Sequence, residues 1–415
     1  MIVSAAPLSR LALGVQPSPT LEMNRRAAEL ARLGRDIIPL SLGEPDFHTP
    51  EFVKATGMAA IERNFTKYTA ADGTADLKEA LADKLQRHNS IAVRPEDVVV
   101  GGGAKILLVA ALLTILDVGD EVIVPAPYWT SYPELITLAG GQPVIIDAEV
   151  DDGFKLTPEC LRAKIGPRTR ALVFNSPVNP TGAVYSRSEI DALASVLREH
   201  PDVWVVTDEL YEHIYFTDER PASFVAVATD LAGRIITVNG FSKGYCMTGW
   251  RLGFAAGPRA VMRPIASLLG QIQGAPSSIA QAAGLAALTG DQTFLEINRQ
   301  TFRERRDVLV SGLSRIDGLR PHLPDGSFYC FVDCSRWLGS RTARGRLLTS
   351  DKDVVDALLN EAEISSVHGA AFGRSPFIRL SFALGVDRIR LGLDRLAKFR
   401  ETMRASPFSS TFWNR

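Results

Sequence analysis

The chain has 415 residues, 46% of them hydrophobic and 22% charged, with a formal net charge of −1. That length supports two domains with sizeable cores, and a balance so close to neutral offers no field to recruit nucleic acid or an anionic membrane surface. The longest apolar stretch, Ile106 to Leu116, stops at Asp117 and is too short to cross a bilayer.

Met1 to Leu21 carries no acidic residue, but Arg10 interrupts it and no long apolar core follows. This makes a weak secretion signal and a thin case for a transit peptide, so the cytoplasm is the expected location. Four cysteines in a chain this long do not make a disulfide framework.

From residue 98 onward, short β-rich runs alternate with helical patterns. The first run, Val98 to Val100, leads into Gly101-Gly102-Gly103-Ala104-Lys105 and an almost wholly apolar helix, which predicts a buried helix whose start can meet an anion. The glycine spacing fits neither a dinucleotide fingerprint nor a P-loop, and a strand-to-helix turn that needs glycine explains it equally well. Glu121 to Val124 reads as the next strand, and Pro125-Ala126-Pro127-Tyr128-Trp129-Thr130-Ser131-Tyr132 follows it. An aromatic there can stack on a flat ring or fill the core.

Pro143 to Ile146 and Arg170 to Phe174 are further strands. After the second comes Asn175-Ser176-Pro177-Val178-Asn179-Pro180-Thr181-Gly182, a loop stiffened by two prolines and suited to holding the Asn179 amide against a ring oxygen. Ser188 to Arg198 has one apolar face, formed by Ile190, Leu193, Val196 and Leu197. Val203 to Val206 then runs into Thr207-Asp208-Glu209-Leu210-Tyr211, placing acids at the carboxyl end of a buried strand, where open α/β sheets bind ligands. One carboxylate can pair with a protonated pyridine nitrogen and Tyr211 can donate to a phenolic oxygen, while Glu209 suits a helix cap.

Arg234 to Val238 precedes Asn239-Gly240-Phe241-Ser242-Lys243-Gly244, with Arg251 eight residues beyond the lysine and a strand at Leu252 to Ala255. An amine in a low-dielectric pocket beside other cations loses proton affinity and becomes a nucleophile toward carbonyls. An arginine close by suits a phosphate. A lysine Schiff base with a phosphorylated aldehyde describes pyridoxal phosphate; the competing reading is a surface lysine on a turn.

Past residue 300 the texture changes to a charged helix, Thr301 to Leu313, strands near Phe328 to Val332 and Phe377 to Phe382, and helices Val354 to Ala362 and Val386 to Thr402. Cys330 and Cys334 lie about 13 Å apart if both are on a strand, too far for a disulfide, and are expected as buried thiols. Arg379 falls inside an apolar run and must meet an anion, either a structural acid or a substrate carboxylate. The pattern predicts an α/β fold, with a mostly parallel sheet covered on both faces and a smaller α+β domain. The expected division is 46–299 for the large domain and 1–45 with 300–415 for the small one.

Gly43-Glu44-Pro45-Asp46-Phe47, Lys67-Tyr68, Asn179-Pro180-Thr181-Gly182, Asp208-Glu209-Leu210-Tyr211, Ser242-Lys243 and Arg379 together resemble the pyridoxal-phosphate-dependent aminotransferases of class I/II, fold type I. The likeness runs from about Leu40 to Arg390 and is nearest to the bacterial aspartate aminotransferase-like branch. It implies a seven-stranded sheet and a homodimer with shared active sites. It also implies that Lys243 forms the Schiff base, Asp208 keeps the pyridine nitrogen protonated, Asn179 and Tyr211 hold the ring oxygen, and Trp129 stacks on the ring. By the same likeness Arg251, Ser242 and the N–H groups of Gly103, Ala104 and Lys105 bind phosphate with Tyr68 of the neighbouring subunit, and Arg379, with Gly43, clamps the substrate α-carboxylate. Gly240 departs from the pattern, since some relatives carry a phosphate-binding serine there.

The reaction so implied is ping-pong transfer of an amino group from an amino acid to 2-oxoglutarate. Lys105 at the start of its helix matches a position that can meet a side-chain carboxylate, which favours aspartate as donor; a solvated lysine is the alternative. Ser18 and Thr20 are candidates for polar contacts at the cleft mouth. Aromatic, prephenate-type or neutral substrates remain open, as does a lyase, decarboxylase or oxidase reaction with the same cofactor. A transcription regulator with a borrowed aminotransferase domain fits poorly, because no basic helix-turn-helix segment precedes the pattern.

Overall fold

A computed structural model describes residues 8–404. Residues 1–7 of the N-terminal stretch weighed as a targeting signal lie outside the described residues.

Seven strands form the main sheet: β1 (Val98–Gly101), β2 (Glu121–Ala126), β3 (Gln142–Asp147), β4 (Thr169–Asn175), β5 (Trp204–Asp208), β6 (Ile235–Gly240) and β7 (Gly253–Ala256), in the spatial order β1-β7-β6-β5-β4-β2-β3. All pairs are parallel except those of β7, which runs antiparallel to both β1 and β6. The predicted runs fall on these strands with end shifts of a residue or two.

Period-2 alternation sorts the strand side chains between helical layers. Val99, Val124, Val206 and Ile236 face the helices Ala104–Ile115 and Arg259–Ile272. On the other face, Ile123, Leu172 and Val205 meet the helix Arg187–Arg198, while Val98, Val100 and Phe254 meet Ala75–Asn89 and Ser278–Thr289. Both faces are therefore dry, which is why the strands read as continuous apolar runs. The edge strand β3 is the most exposed and carries Pro143, a residue an edge tolerates.

A second core joins both ends of the chain. Met23, Ala27, Ile38 and Leu40 pack with Leu309, Val332, Leu358, Ile378 and Leu396. Ile38–Pro39 pairs in parallel with Ile364–Ser365. A four-stranded antiparallel sheet, β8 (Arg320–Pro321), β9 (Tyr329–Asp333), β10 (Val367–His368) and β11 (Phe377–Ser381), has the order β10-β11-β9-β8. The helix foreseen at Thr301 begins instead at Thr293, because Phe294 and Leu295 pack onto the layer beneath Tyr245 and Ala283 and extend it back. Cys330 and Cys334 are buried free thiols. No helix among the described residues is long and apolar enough to cross a membrane.

Behind β6 lies a buried charge cluster. Glu212 binds Lys84 and also accepts from Asn89 Nδ2 at 2.6 Å, Asn239 Nδ2 at 2.8 Å and Arg220 Nη2 at 3.0 Å. Burial opposes its charge, but Lys84, His213 and Arg220 hold its pKa well below the ordinary carboxylate value. Removing one partner of such a pair strands the other charge in the interior. Glu212→Ala should therefore cost about 3–5 kcal/mol of folding stability, read as a lower urea midpoint with an unchanged slope.

Candidate active site

The carboxyl ends of β4, β5 and β6 converge on a cleft of about 420 Å³. Gly43, Ala104, Lys105, Trp129, Asn179, Asp208, Tyr211, Ser242, Lys243, Arg251 and Arg379 all line it, as do Ser18 and Thr20 from the N-terminal segment. Tyr68 does not; it stands 96% exposed.

Lys243 lies two residues beyond a buried phenylalanine, in a loop that folds back on itself through Met247 N to Phe241 O at 3.3 Å and Cys246 N to Lys243 O at 3.3 Å. Gly244 is obligatory there, since a Cβ would lie 2.7 Å from the His213 ring. The Lys243 ammonium donates to Gly43 O at 2.5 Å. Its pKa is pushed down to about 8, first by burial and then by Arg379 and Arg251, against the opposing pull of Glu44 and Asp208.

Asp208 ends β5. Its Oδ2 accepts from the Tyr132 hydroxyl at 2.7 Å and its Oδ1 from the Leu210 amide at 3.2 Å. Burial raises its pKa, while these two donors and Lys243 pull it back. Glu209, the next residue, points away: its Oε1 accepts from Ser223 Oγ at 2.6 Å and the Phe224 amide at 3.3 Å, holding the start of the short helix Phe224–Val227. The helix-capping role expected of Glu209 is the one it has.

Asn179 is fixed at both ends. Its amide N–H donates to Asn175 Oδ1 at 3.0 Å, and its Oδ1 accepts from Arg379 Nη1 at 3.0 Å. Arg379, 2% exposed on β11, gives its other Nη2 to Ser41 O at 3.1 Å. Its guanidinium lies 4.1 Å from the Tyr329 ring centroid and 4.9 Å from that of Phe372. Both partners are neutral oxygens and its Nε has no partner, so the structural acid weighed as one option is not what compensates this cation. Burial lowers its pKa, which marks a charge still short of an anion.

Of the three N–H groups expected to meet a phosphate, one is spent within the turn itself. The Gly103 N–H is already used, donating to Gly101 O at 2.8 Å in the tight turn. The N–H groups of Ala104 and Lys105, in the first turn of Ala104–Ile115, have no intrahelical acceptor. Arg251 closes over this turn, with Nη2 reaching Gly102 O at 3.4 Å. A Cβ on Gly103, whose φ is +100°, would lie 2.5 Å from that Nη2. Arg251 itself has φ +51°, a strained backbone for a side chain of this size. Gly240 also has a physical reason: an added Cβ would lie 3.2 Å from Gly253 Cα and Leu252 O, so a serine there would crowd β7.

Three side chains with a part in this geometry were not assigned one from sequence. Tyr132 binds Asp208, Tyr329 shares a 3.2 Å hydrogen bond between its hydroxyl and that of Tyr211, and Asn175 both orients Asn179 and donates to Asp208 O at 2.8 Å. Tyr132 and Asn175 lie where a strand gives way to its loop, a position that was the available signal, whereas Tyr329 opens its strand and gave none. Lys105 reaches over the Trp129 ring at 4.9 Å, and its pKa is lowered first by burial and then by Arg251.

The family model described as aminotransferase class I and II matches residues 35–396, and this chain belongs to that family. It is 46% identical over 385 residues to the aspartate/prephenate aminotransferase of Cereibacter sphaeroides, covering 93% of this chain and 96% of that one. It is 45% identical over 392 residues to an aspartate aminotransferase of Rhizobium meliloti, covering 94% and 95%. Among solved structures, the Rhizobium meliloti aspartate aminotransferase superposes with a TM-score of 0.93 at 42% identity, covering 96% of this chain and all of that one. The Thermus thermophilus aspartate aminotransferase with maleate gives 0.89 at 41%, covering 95% and 100%. The chain is an aminotransferase with the type I α/β fold of this family.

A lysine pKa near 8 has two measurable consequences. In cofactor-free protein, acylation of Lys243 should rise with a midpoint near pH 8, well below the ordinary lysine value of about 10.4. Because the folded state holds this proton less tightly than the unfolded one, stability should climb as pH rises from about 8 toward 10.5. Peptide mapping after pH-stepped acylation checks the first, and pH-dependent urea unfolding the second.

Proposed function

We propose that this chain is a pyridoxal-phosphate-dependent aspartate aminotransferase that passes the amino group to 2-oxoglutarate in two half-reactions. The observation that carries the reading is the buried amine of Lys243, its pKa pushed down to about 8, facing Asp208 across a cleft that also holds Arg251 and Arg379.

The residues fit such a cofactor. The free N–H groups of Ala104 and Lys105 under Arg251, at a turn where only glycine fits, suit a phosphate. Asp208, its pKa raised by burial and only partly drawn back by Tyr132, suits a protonated ring nitrogen whose charge would compensate its own. The aldehyde and pyridine of the cofactor supply an electron sink for the substrate α-carbon. The rest falls to the protein. Lys243, about half freed of its proton near pH 8, takes a proton from the donor's α-carbon and, in the second half-reaction, delivers one to the acceptor's α-carbon. Arg379, held in place by Asn179 Oδ1 and Ser41 O, binds the α-carboxylate through its guanidinium, which fixes the substrate's orientation. Tyr211 and Asn179 would hold the ring oxygen, and Trp129 would cover the ring.

Aspartate is the donor favoured by Lys105, a partly desolvated cation at the cleft beside Arg251, and by the names of the relatives. Transfer to prephenate is a second reading, favoured by the printed name of the Cereibacter relative. A homodimer is part of the proposal: Tyr68 is exposed outside its own cleft, and Met58 and Ile61 on the preceding helix are 60% and 54% exposed. The cytoplasm is the proposed location. The proposed domain division, 46–299 against 1–45 with 300–415, cuts the continuous helix Thr293–Leu313.

An amino-donor screen against 2-oxoglutarate tests the reading; glutamate must form, and ammonia or carbon dioxide in its place would reject it. Lys243→Ala should lower turnover by at least about a thousandfold, the scale of a lost general acid-base group combined with a lost nucleophile. Lys105→Ala should lower kcat/KM for aspartate by about tenfold, or ~1.4 kcal/mol, and that for alanine much less. Equal losses for the two donors would remove the acidic-substrate argument.

A further inference from the structure

Tyr329 has no part in the assignments above, yet it touches both halves of the cleft. It lies on β9 opposite Ser381, and its neighbour two positions on, Phe331, is opposite Arg379. Tyr329 and Arg379 are therefore diagonal neighbours on one face of the small sheet. The guanidinium lies 4.1 Å from the Tyr329 ring centroid. The same residue's hydroxyl is 3.2 Å from that of Tyr211, and a Cβ at Gly43 would lie 3.5 Å from it. Gly43 O is the acceptor of the Lys243 ammonium.

We propose that Tyr329 is a positioning residue that couples carboxylate binding at Arg379 to the donor strength of the Tyr211 hydroxyl. The inference rests on the functional reading above. Each phenol has one proton to give and two lone pairs. If Tyr211 spends its proton on the cofactor's ring oxygen, the proton between the two tyrosines belongs to Tyr329. A cation over the Tyr329 ring makes that phenol the better acid of the pair, and the chain Tyr329 to Tyr211 to ring oxygen is strengthened along its length. A substrate carboxylate on Arg379 neutralises the cation, so Tyr329 donates less strongly and Tyr211 with it. Occupancy of the carboxylate site is then felt at the ring oxygen, with no side chain having to move.

The test uses cofactor-loaded protein and follows the pH midpoint of the cofactor's visible absorbance, with and without succinate, which has neither amino nor oxo group to react. In the wild type, saturating succinate should raise the midpoint. Tyr329→Phe keeps the ring under Arg379 but removes the hydroxyl, and should raise the midpoint without succinate by about half a pH unit and shrink the succinate-dependent rise. In a Tyr211→Phe background the second substitution should add nothing. Succinate affinity should change less than about twofold in Tyr329→Phe but fall about tenfold in Tyr329→Leu, which removes the ring from beneath the guanidinium. A Tyr329→Phe midpoint equal to the wild type's, or a shift that survives in Tyr211→Phe, would overturn the coupling. Wild-type protein with no titrating visible absorbance would instead overturn the functional reading itself.

Discussion

The constraint on which the site depends is a primary amine kept out of water next to two guanidinium groups. Desolvation and like charge both favour the neutral amine of Lys243, and the pull of Glu44 and Asp208 only partly offsets them. Such an environment requires walls that exclude solvent, and the sheet supplies them: β5 and β6 end side by side, placing Asp208 and the lysine loop at one rim. The buried Glu212 cluster grips β6 from behind through Asn239, one residue before Gly240. A charge network distant from substrate thus anchors the strand from which the reactive loop departs.

Arg379 presents the complementary problem. A cation at 2% exposure with no acid beside it is offset only by dipoles and aromatic faces, and each is weaker than an ion pair. The arrangement is stable because four interactions share the charge, from Asn179, Ser41, Tyr329 and Phe372. It leaves Nε unpartnered. A site that satisfied the arginine fully with a structural carboxylate would have nothing left with which to attract a substrate carboxylate. The incomplete compensation is what turns a buried charge into a binding group.

Much of this was legible in the sequence, for physical reasons that differ by element. The seven strands stood out because burial on both faces forces continuous apolar runs, and every one lies within a residue or two of its expected place. Lys243, Asp208, Asn179 and Arg379 were found because each is a polar group where the pattern requires an apolar one or a turn. Tyr329 escaped because a tyrosine in an apolar stretch satisfies the core pattern with its ring, and for Tyr132 as for Tyr329 nothing in one dimension reveals where the hydroxyl points. The Gly103 N–H was misjudged for a related reason. Gly101, Gly102 and Gly103 announce a close backbone approach, but which N–H groups the turn itself consumes depends on dihedral angles that composition does not encode.

The neighbours Asp208 and Glu209 show how one residue of register separates chemistry from scaffolding. Both are buried acids, and burial is the largest influence on each, raising both pKa values, that of Glu209 to about 7. At the end of β5 the alternation of the strand sends Asp208 into the cleft and Glu209 toward Ser223 and Phe224. Glu209 finds its donors in hydroxyls and one backbone N–H, with Glu212 as a nearby like charge, so nothing positive faces it except through the cluster behind. Asp208 has one phenol, one amide and the field of Lys243. Its remaining lone pairs open on the cavity, which leaves a carboxylate able to meet a positive charge that arrives from outside. Exchanging the two side chains' surroundings would leave the composition of the motif unchanged and remove the site.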